Sequence, residues 1–140
     1  MAEKTLILIK PDAVKVGNTG KILSIYEASG LKIVALRMLV MTRELAAKHY
    51  EEHIGKTFYS RLVDFMTSGP LAAAVLEGET AVAKARAVNG ATDPLQAEAG
   101  TIRKLFAEDK THNAVHASDS VKNAEREISI FFSEAEIFDI

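Results

Sequence analysis

The sequence contains no cysteine and no tryptophan among its 140 residues. Without cysteine, the chain forms neither disulfides nor a thiolate nucleophile, and zinc sites of the finger or ribbon type are excluded. An excess of positive charge is also lacking, because 17 Lys and Arg residues are set against 19 Asp and Glu residues. This balance argues against non-specific nucleic-acid binding as the main activity, although local basic patches can still serve small anions.

Long hydrophobic runs are absent as well, and no apolar stretch approaches the length needed to span a membrane. The N-terminal residues lead directly into a strand-like run and do not have the pattern of a signal peptide. We therefore expect a cytoplasmic protein. Because 48% of the residues are hydrophobic, a chain of this length can bury a real core, and we expect residues 1–140 to form a single domain.

What is present is an alternation of apolar runs and helical patterns. Strands are predicted at residues 5–9, 31–41, 71–76 and 114–116, and helices at residues 21–29, 43–52, 60–67, 80–88, 101–108 and 120–131. The first run is apolar at nearly every position, which is typical of a central strand buried on both faces. Without the helix pair that follows strand 2, the order is βαββαβ, the ferredoxin-like arrangement. We therefore predict an α+β fold: an antiparallel sheet with helices on one face, an inserted helix pair after strand 2 and a long loop before strand 4.

That long loop, residues 91–113, is the main irregular segment, and such segments in compact domains are usually functional or disordered. Two short stretches, Gly20-Lys21 and Gly55-Lys56-Thr57, resemble the end of a phosphate-binding P-loop. The motif requires another glycine five residues earlier, where the chain has Lys15 and Tyr50. A P-loop enzyme is therefore excluded.

The four histidines form two pairs with a spacing of four residues, His49 with His53 and His112 with His116. On a helix this spacing can place two ligands on one metal ion. Neither pair forms a His-Glu-x-x-His motif and no third ligand is evident, so we favour surface or active-site histidines over metal ligands.

His116 differs from the other histidines because it ends a predicted strand and precedes the helix cap Ser118-Asp119-Ser120. This position places an imidazole at the mouth of a site, although a hydrogen-bonded structural histidine is an alternative. Glu127 lies two turns into the following helix beside its apolar stripe, from where it can reach back toward the strand end. A carboxylate bonded to one ring nitrogen fixes the tautomer and leaves the other nitrogen as a nucleophile. Without His116, Glu127 is better interpreted as a solvated charge.

Several other side chains could supply the donors that a polyphosphate needs. Lys10 ends the first strand, Arg86 lies in an alanine-rich helix, and Arg103 follows Gly100-Thr101-Ile102. Together with Thr92, these residues offer bidentate and point-charge contacts to phosphate oxygens, although each is also compatible with an ordinary surface role. Phe58, between the two inserted helices, could stack on a base or serve only in packing.

Taken together, these motifs resemble the nucleoside diphosphate kinase family over essentially the whole chain. The matching stretches are TLILIKPD at residues 5–12, GLKIVA at 30–35, SGP at 68–70, VLEG at 75–78, GATDP at 90–94, GTIR at 100–103 and the segment 113–120 around the histidine. Their order and spacing make the resemblance specific, although none of them is decisive alone.

The resemblance implies transfer of the terminal phosphoryl group of a nucleoside triphosphate to a nucleoside diphosphate, by a ping-pong route through phosphohistidine. It implies that His116 is the nucleophile, that Glu127 orients it, and that Ser118 supports Glu127. The further residues that it implies are Tyr50 near the transferred phosphate, Lys10 and Asn113 at the ribose and phosphates, Arg86, Thr92 and Arg103 at the phosphates, and Phe58 with Leu62 at the base. It also implies Mg²⁺ held mainly by substrate phosphates, and a homo-oligomer, hexamer or tetramer, built from dimers that join through the sheet and the first helix.

Some positions depart from the family pattern. Ala117 replaces the glycine usual after the histidine, and it would be strained if that position needed a positive φ. Ala99 and Lys110 replace a proline and an apolar residue, and Lys104-Leu105 also differs. The main alternative is a non-catalytic nucleotide-binding regulatory module on the same fold, because fold alone does not determine function. The nucleophile and its partners favour the enzyme. A sheet-based RNA binder is disfavoured by the net charge and by strands that lack paired aromatics.

Overall fold

The computed structural model describes residues 2–140. Its strands are β1 (Ala2–Ile9), β2 (Lys32–Leu39), β3 (Leu71–Glu79) and β4 (Val115–Ala117). Its helices are α1 (Pro11–Lys15), α2 (Thr19–Ala28), α3 (Arg43–His49), α4 (Tyr59–Met66), α5 (Ala81–Asn89), α6 (Ile102–Phe106) and α7 (Val121–Phe131). Short 3₁₀ turns occupy Glu51–His53 and Glu134–Glu136. Among the residues described, no helix is long and apolar enough to cross a membrane.

The four strands form one antiparallel sheet in the order β2-β3-β1-β4. β1 lies in the interior of the sheet, as predicted from its continuous apolar run. Its last residues pair with β4, and Leu8 lies directly opposite His116. This order and direction confirm the predicted α+β, ferredoxin-like βαββαβ fold with an inserted helix pair after strand 2 and a long irregular segment before strand 4.

Both faces of the sheet are covered. Ile7 and Ile9 point into a core formed with α2 and α5, the two helices of the βαββαβ unit. Leu6 and Leu8 point the other way, into a second core with the inserted helices and Phe131 of α7. The prediction of helices on one face holds for α2 and α5, and the short helices α1 and α6 pack into the same core. The inserted pair and α7 cover the opposite face. Side chains alternate between the two faces along β1 and β3, and both sets are apolar, so each face needs a cover.

Local sequence explains where the elements begin and end. Thr42 and Ser120 cap α3 and α7 by accepting hydrogen bonds from the N–H groups of Leu45 and Asn123. α3 ends at His49, earlier than predicted, because the chain tightens into the 3₁₀ turn. Asp93 begins a turn in which its carboxylate accepts a hydrogen bond from Leu95 N at 3.0 Å.

Candidate active site

A cleft of about 420 Å³ opens beside β4, between the inserted helices, the loop before β4 and α7. Its lining includes every site residue that the family resemblance implies except Ser118, which is fully buried. The predicted residues that meet here are Lys10, Tyr50, Phe58, Leu62, Arg86, Thr92, Arg103, Asn113, His116 and Glu127. Residues separated by more than a hundred positions in the sequence therefore share one concave surface, which is the usual form of a small-molecule site.

His116 occupies the centre of β4, and its side chain retains 23% of its exposure. Its Nε2 lies 3.0 Å from Glu127 Oε1. The neutral imidazole that donates this hydrogen bond carries its proton on Nε2 and its lone pair on Nδ1. The geometry therefore assigns Nδ1 as the nitrogen available for nucleophilic attack.

Glu127 is held by two donors on the same oxygen. Ser118 Oγ donates to Glu127 Oε1 at 2.6 Å, in addition to the bond from His116. Burial acts to raise the pKa of Glu127, but the hydrogen bond and charge of His116 and the bond from Ser118 outweigh it and lower the pKa to about 2. Glu127 is therefore a carboxylate across the whole physiological range, able to fix the tautomer of His116 and to stabilise positive charge on the ring.

The backbone before His116 is strained, whereas the residue after it is not. Ala117 lies opposite Ile7 within the extended strand β4, and its φ is not positive, so its methyl group adds no strain. Ala114 instead has φ of +71°. Val115 N donates to Asn113 O at 2.8 Å across it, which closes a three-residue γ-turn. Asp12 stabilises this turn by accepting from Ala114 N at 3.1 Å. Strain of this kind is concentrated at functional sites, and here it immediately precedes β4.

Lys10 and Asn113 form a buried polar pair at the base of the cleft. Lys10 is 8% exposed, and its Nζ donates to Asn113 Oδ1 at 2.8 Å. Burial and the nearby charge of Arg103 lower the pKa of Lys10 to about 8, while Asp12 opposes the shift. A buried ammonium without a carboxylate bonded to it is poised to bind an anion.

Arg103 both shapes the cleft and faces it. Its terminal nitrogens donate to Gly90 O at 2.9 Å and to Val115 O at 2.8 Å, which ties the loop after α5 to β4. Burial lowers its pKa, as does the nearby charge of Arg86. Arg86 and Thr92 line the same wall and are exposed. Two guanidinium groups and a hydroxyl thus converge on the side of the cleft opposite the inserted helices, where they offer donors to phosphate oxygens.

The other end of the cleft carries an aromatic face. The side chain of Phe58 is 43% exposed, and Leu62 lies one turn further on in α4. Burial and the charge of Glu127 raise the pKa of Tyr50, which lies between this end and His116. An exposed aromatic ring beside an apolar residue is suited to stacking a planar ring.

Two residues of the site were not predicted. His49 packs edge-on against His116, with ring centroids 4.8 Å apart. Arg126 donates to the carbonyl of Lys48 at 3.0 Å and lies 3.7 Å from Glu127 Oε2, so it connects the end of α3 to α7. In the sequence His49 directly precedes Tyr50 and Arg126 directly precedes Glu127. This adjacency to a predicted site residue was the only indication that either belongs to the site. The spaced histidine pairs were misleading, because His49 meets His116 and not His53.

Comparisons of the sequence with a family model and with known proteins all identify the same family. The family model for nucleoside diphosphate kinase matches residues 3–137. A nucleoside diphosphate kinase of Clostridium perfringens is 54% identical over 130 residues, covering 93% of this chain and 91% of the relative. That of Methanocaldococcus jannaschii is 52% identical over 99% of both chains.

Comparison with solved structures gives the same family as the sequence relatives. The Aquifex aeolicus nucleoside diphosphate kinase superimposes with a TM-score of 0.96 at 45% identity, covering 99% of this chain and 100% of that one. A halophilic nucleoside diphosphate kinase from Halobacterium salinarum, solved in complex with CDP, has the same TM-score at 42% identity, with 100% and 93% coverage.

Proposed function

The chain belongs to the nucleoside diphosphate kinase family and is an enzyme of that type, and we propose that it works by a ping-pong mechanism through a phosphohistidine at His116. The observation that carries this proposal is the chain of hydrogen bonds from Ser118 to Glu127 to His116, which leaves a lone pair on Nδ1 beside a cationic cleft. A protein that only binds nucleotides needs no such nucleophile. The proposed role in the cell is maintenance of nucleoside triphosphate pools.

In the first half-reaction, Nδ1 of His116 attacks the terminal phosphorus of a nucleoside triphosphate. The N–P bond forms as the bond from phosphorus to the bridging oxygen breaks, and the nucleoside diphosphate departs with that electron pair. The ring becomes cationic because Nε2 keeps its proton, and Glu127 at 3.0 Å stabilises that charge. In the second half-reaction, a terminal oxygen of another nucleoside diphosphate attacks the same phosphorus, and His116 is restored.

The cations of the cleft act on the phosphates. Lys10, Arg86 and Arg103 neutralise the charge of the transferred group and of the leaving diphosphate, and Thr92 adds a hydroxyl donor. We propose that Tyr50, which lines the same cleft as His116, contributes a phenol near the transferred phosphate. We propose that Asn113, which accepts from Lys10 and donates to Lys110 O at 3.0 Å, binds the ribose hydroxyls.

The family uses a divalent metal ion, and we propose that here it is Mg²⁺ supplied with the nucleotide. Magnesium prefers oxygen ligands and often binds through substrate phosphates. The residues that line the cleft fit this arrangement. Lys10, Arg86 and Arg103 are cations that bind phosphate oxygens and do not bind metal ions, so the metal would be held by the phosphates and would add to the positive charge of these side chains. When bound, the ion shields the charge of the phosphate oxygens during transfer.

Substrate breadth follows from the aromatic end of the cleft. Stacking on Phe58 accepts any base, since every base has a π-face, so we propose that the enzyme uses purine and pyrimidine nucleotides alike. Binding of nucleotides is consistent with the relative solved with CDP.

We also propose that the chain forms homo-oligomers, hexamers or tetramers built from dimers. Edge strand β2 and the residue that follows it carry an exposed apolar row: Leu36 and Met38 in the strand and Val40 just after it are each more than half exposed. Such an edge invites pairing with another copy. A mass measured by sedimentation or light scattering distinguishes the two assemblies and a monomer.

The test of the function is a transfer assay with ATP, Mg²⁺ and each common nucleoside diphosphate in turn. We expect turnover with all of them and none above background for His116→Ala, with His112→Ala as the control that keeps activity. Full activity in His116→Ala would contradict the proposal.

A further inference from the structure

His49 is a buried histidine that the phosphotransfer mechanism does not use. It is 4% exposed, and neither ring nitrogen has a hydrogen-bond partner within residues 2–140. Because buried polar atoms are nearly always paired, two unpaired nitrogens on one ring call for a ligand.

The groups that face this ring complete a metal-binding set. One donor atom each from His49, His116 and Glu127 lies within 4.8 Å of the donor atoms of the other two. We propose that these three residues form a binding site for a transition-metal dication of the Zn²⁺ class, and that occupancy of the site inhibits the enzyme. Two imidazoles with one carboxylate and an open fourth position form a ligand set that zinc accepts. Mg²⁺ disfavours it because magnesium prefers oxygen ligands.

The required movement is small. Zinc bonds of about 2.0–2.2 Å in a tetrahedron place donor atoms roughly 3.3 Å apart. His116 Nε2 and Glu127 Oε1 already lie 3.0 Å apart. His49 is the last residue of α3, and a side-chain rotation that moves its donor atom by no more than about 1.5 Å closes the site.

Inhibition follows from the chemistry of the imidazole. If the ion bonds to Nε2 of His116, the ring proton moves to Nδ1 and the nucleophilic lone pair is consumed. If it bonds to Nδ1, the lone pair is occupied directly. In either case the bound ion leaves no free lone pair on Nδ1, so it blocks phosphorylation. A ring phosphorylated on Nδ1 keeps its proton on Nε2 against Glu127 and must lose that proton before an ion can bind there. The inhibitory effect rests on the proposed role of His116, whereas binding of the ion does not.

The experiment titrates Co²⁺ into the nucleotide-free protein and follows the visible absorption of four-coordinate cobalt, with Zn²⁺ displacement measured by calorimetry. We expect one ion per chain. His49→Phe, which keeps an aromatic ring against His116, should weaken binding at least tenfold, and His49→Gln provides a second variant if the first fails to fold. The matched controls are His53→Gln and His112→Gln, which remove histidines outside the cluster and should leave binding unchanged.

The wild-type protein offers an independent arm that needs no mutation. Protein charged with MgATP and freed of nucleotide should lose the cobalt signal in proportion to the label it carries. Absence of binding, equal binding by the His49 variants, or equal binding by the charged protein would overturn the proposal. If no label forms at all but the His49-dependent signal persists, the metal site stands and the phosphohistidine mechanism fails.

Discussion

Lys10 is a buried cation whose proposed role at the phosphates has a cost in the stability of the fold. Its ammonium is 8% exposed, and its pKa falls from the ordinary 10.5 to about 8. That difference corresponds to about 3 kcal/mol by which the charged form destabilises the fold below pH 8. Between about pH 8 and 10.5 the unfolded chain binds more protons than the folded one, so this contribution to stability rises with pH through that window.

Replacing the charge should therefore stabilise the free enzyme. Lys10→Met keeps the length of the side chain but leaves Asn113 Oδ1, which is buried, without its donor, at a cost of roughly 1 kcal/mol. We expect the variant to be about 2 kcal/mol more stable than the wild type at pH 7, with the difference disappearing toward pH 10. Its phosphotransfer activity should fall sharply, because the phosphates lose a cation.

Urea unfolding at a series of pH values measures the effect, and Lys122→Met, at an exposed lysine, is the control that should change little. Saturating MgATP should reverse the order of stability, since only the wild type gains the full binding energy. A Lys10→Met protein less stable than the wild type at pH 7, or a stability difference independent of pH, would refute the reasoning.

Three further perturbations test other parts of the site. Glu127→Gln should slow formation of the phosphoenzyme by about 10²-fold or more without unfolding the protein, as measured by rapid quench, because a neutral amide no longer stabilises the cationic ring; an unchanged rate would remove Glu127 from the mechanism. Ala114→Gly should change the free energy of unfolding by no more than about 1 kcal/mol. Ala114→Val should lower it by about 2 kcal/mol or more, because a β-branched residue resists φ of +71°. Equal free energies of unfolding for the two variants would argue against strain at this residue. Phe58→Ala should raise KM for every nucleoside diphosphate roughly tenfold in steady-state assays, and an effect confined to one base would contradict simple stacking.

Much of the fold follows from local sequence. The continuous apolar run of β1 predicted a central strand, and the caps Thr42 and Ser120 placed two helix starts within a residue. The same run indicated burial on both faces, but the helices that cover the second face were missed, because their position depends on long-range packing of Phe131 against the inserted helices, which no local period reveals.

In the site, too, some features follow from local sequence and others depend on long-range packing. His116, Glu127 and the cleft cations were accessible from the sequence because strand ends, helix periodicity and the family motifs located them. The sequence left open whether Ala117 is strained, and it did not point to Ala114, which has the positive φ. The conformation of Ala114 is fixed by hydrogen bonds with Asp12 and Lys10 from the other end of the chain. The approach of His49 to His116 likewise depends on how α3 packs against α7, which the spacing of histidines does not encode.

The most direct test of the central claim is isolation of the enzyme after brief exposure to ATP labelled in its terminal phosphate. The account predicts one label per active chain, labile to acid and stable to base, mapping to His116 and transferred quantitatively to unlabelled CDP when that acceptor and Mg²⁺ are added. A label that maps elsewhere, that CDP fails to discharge, or that His116→Ala retains would contradict it.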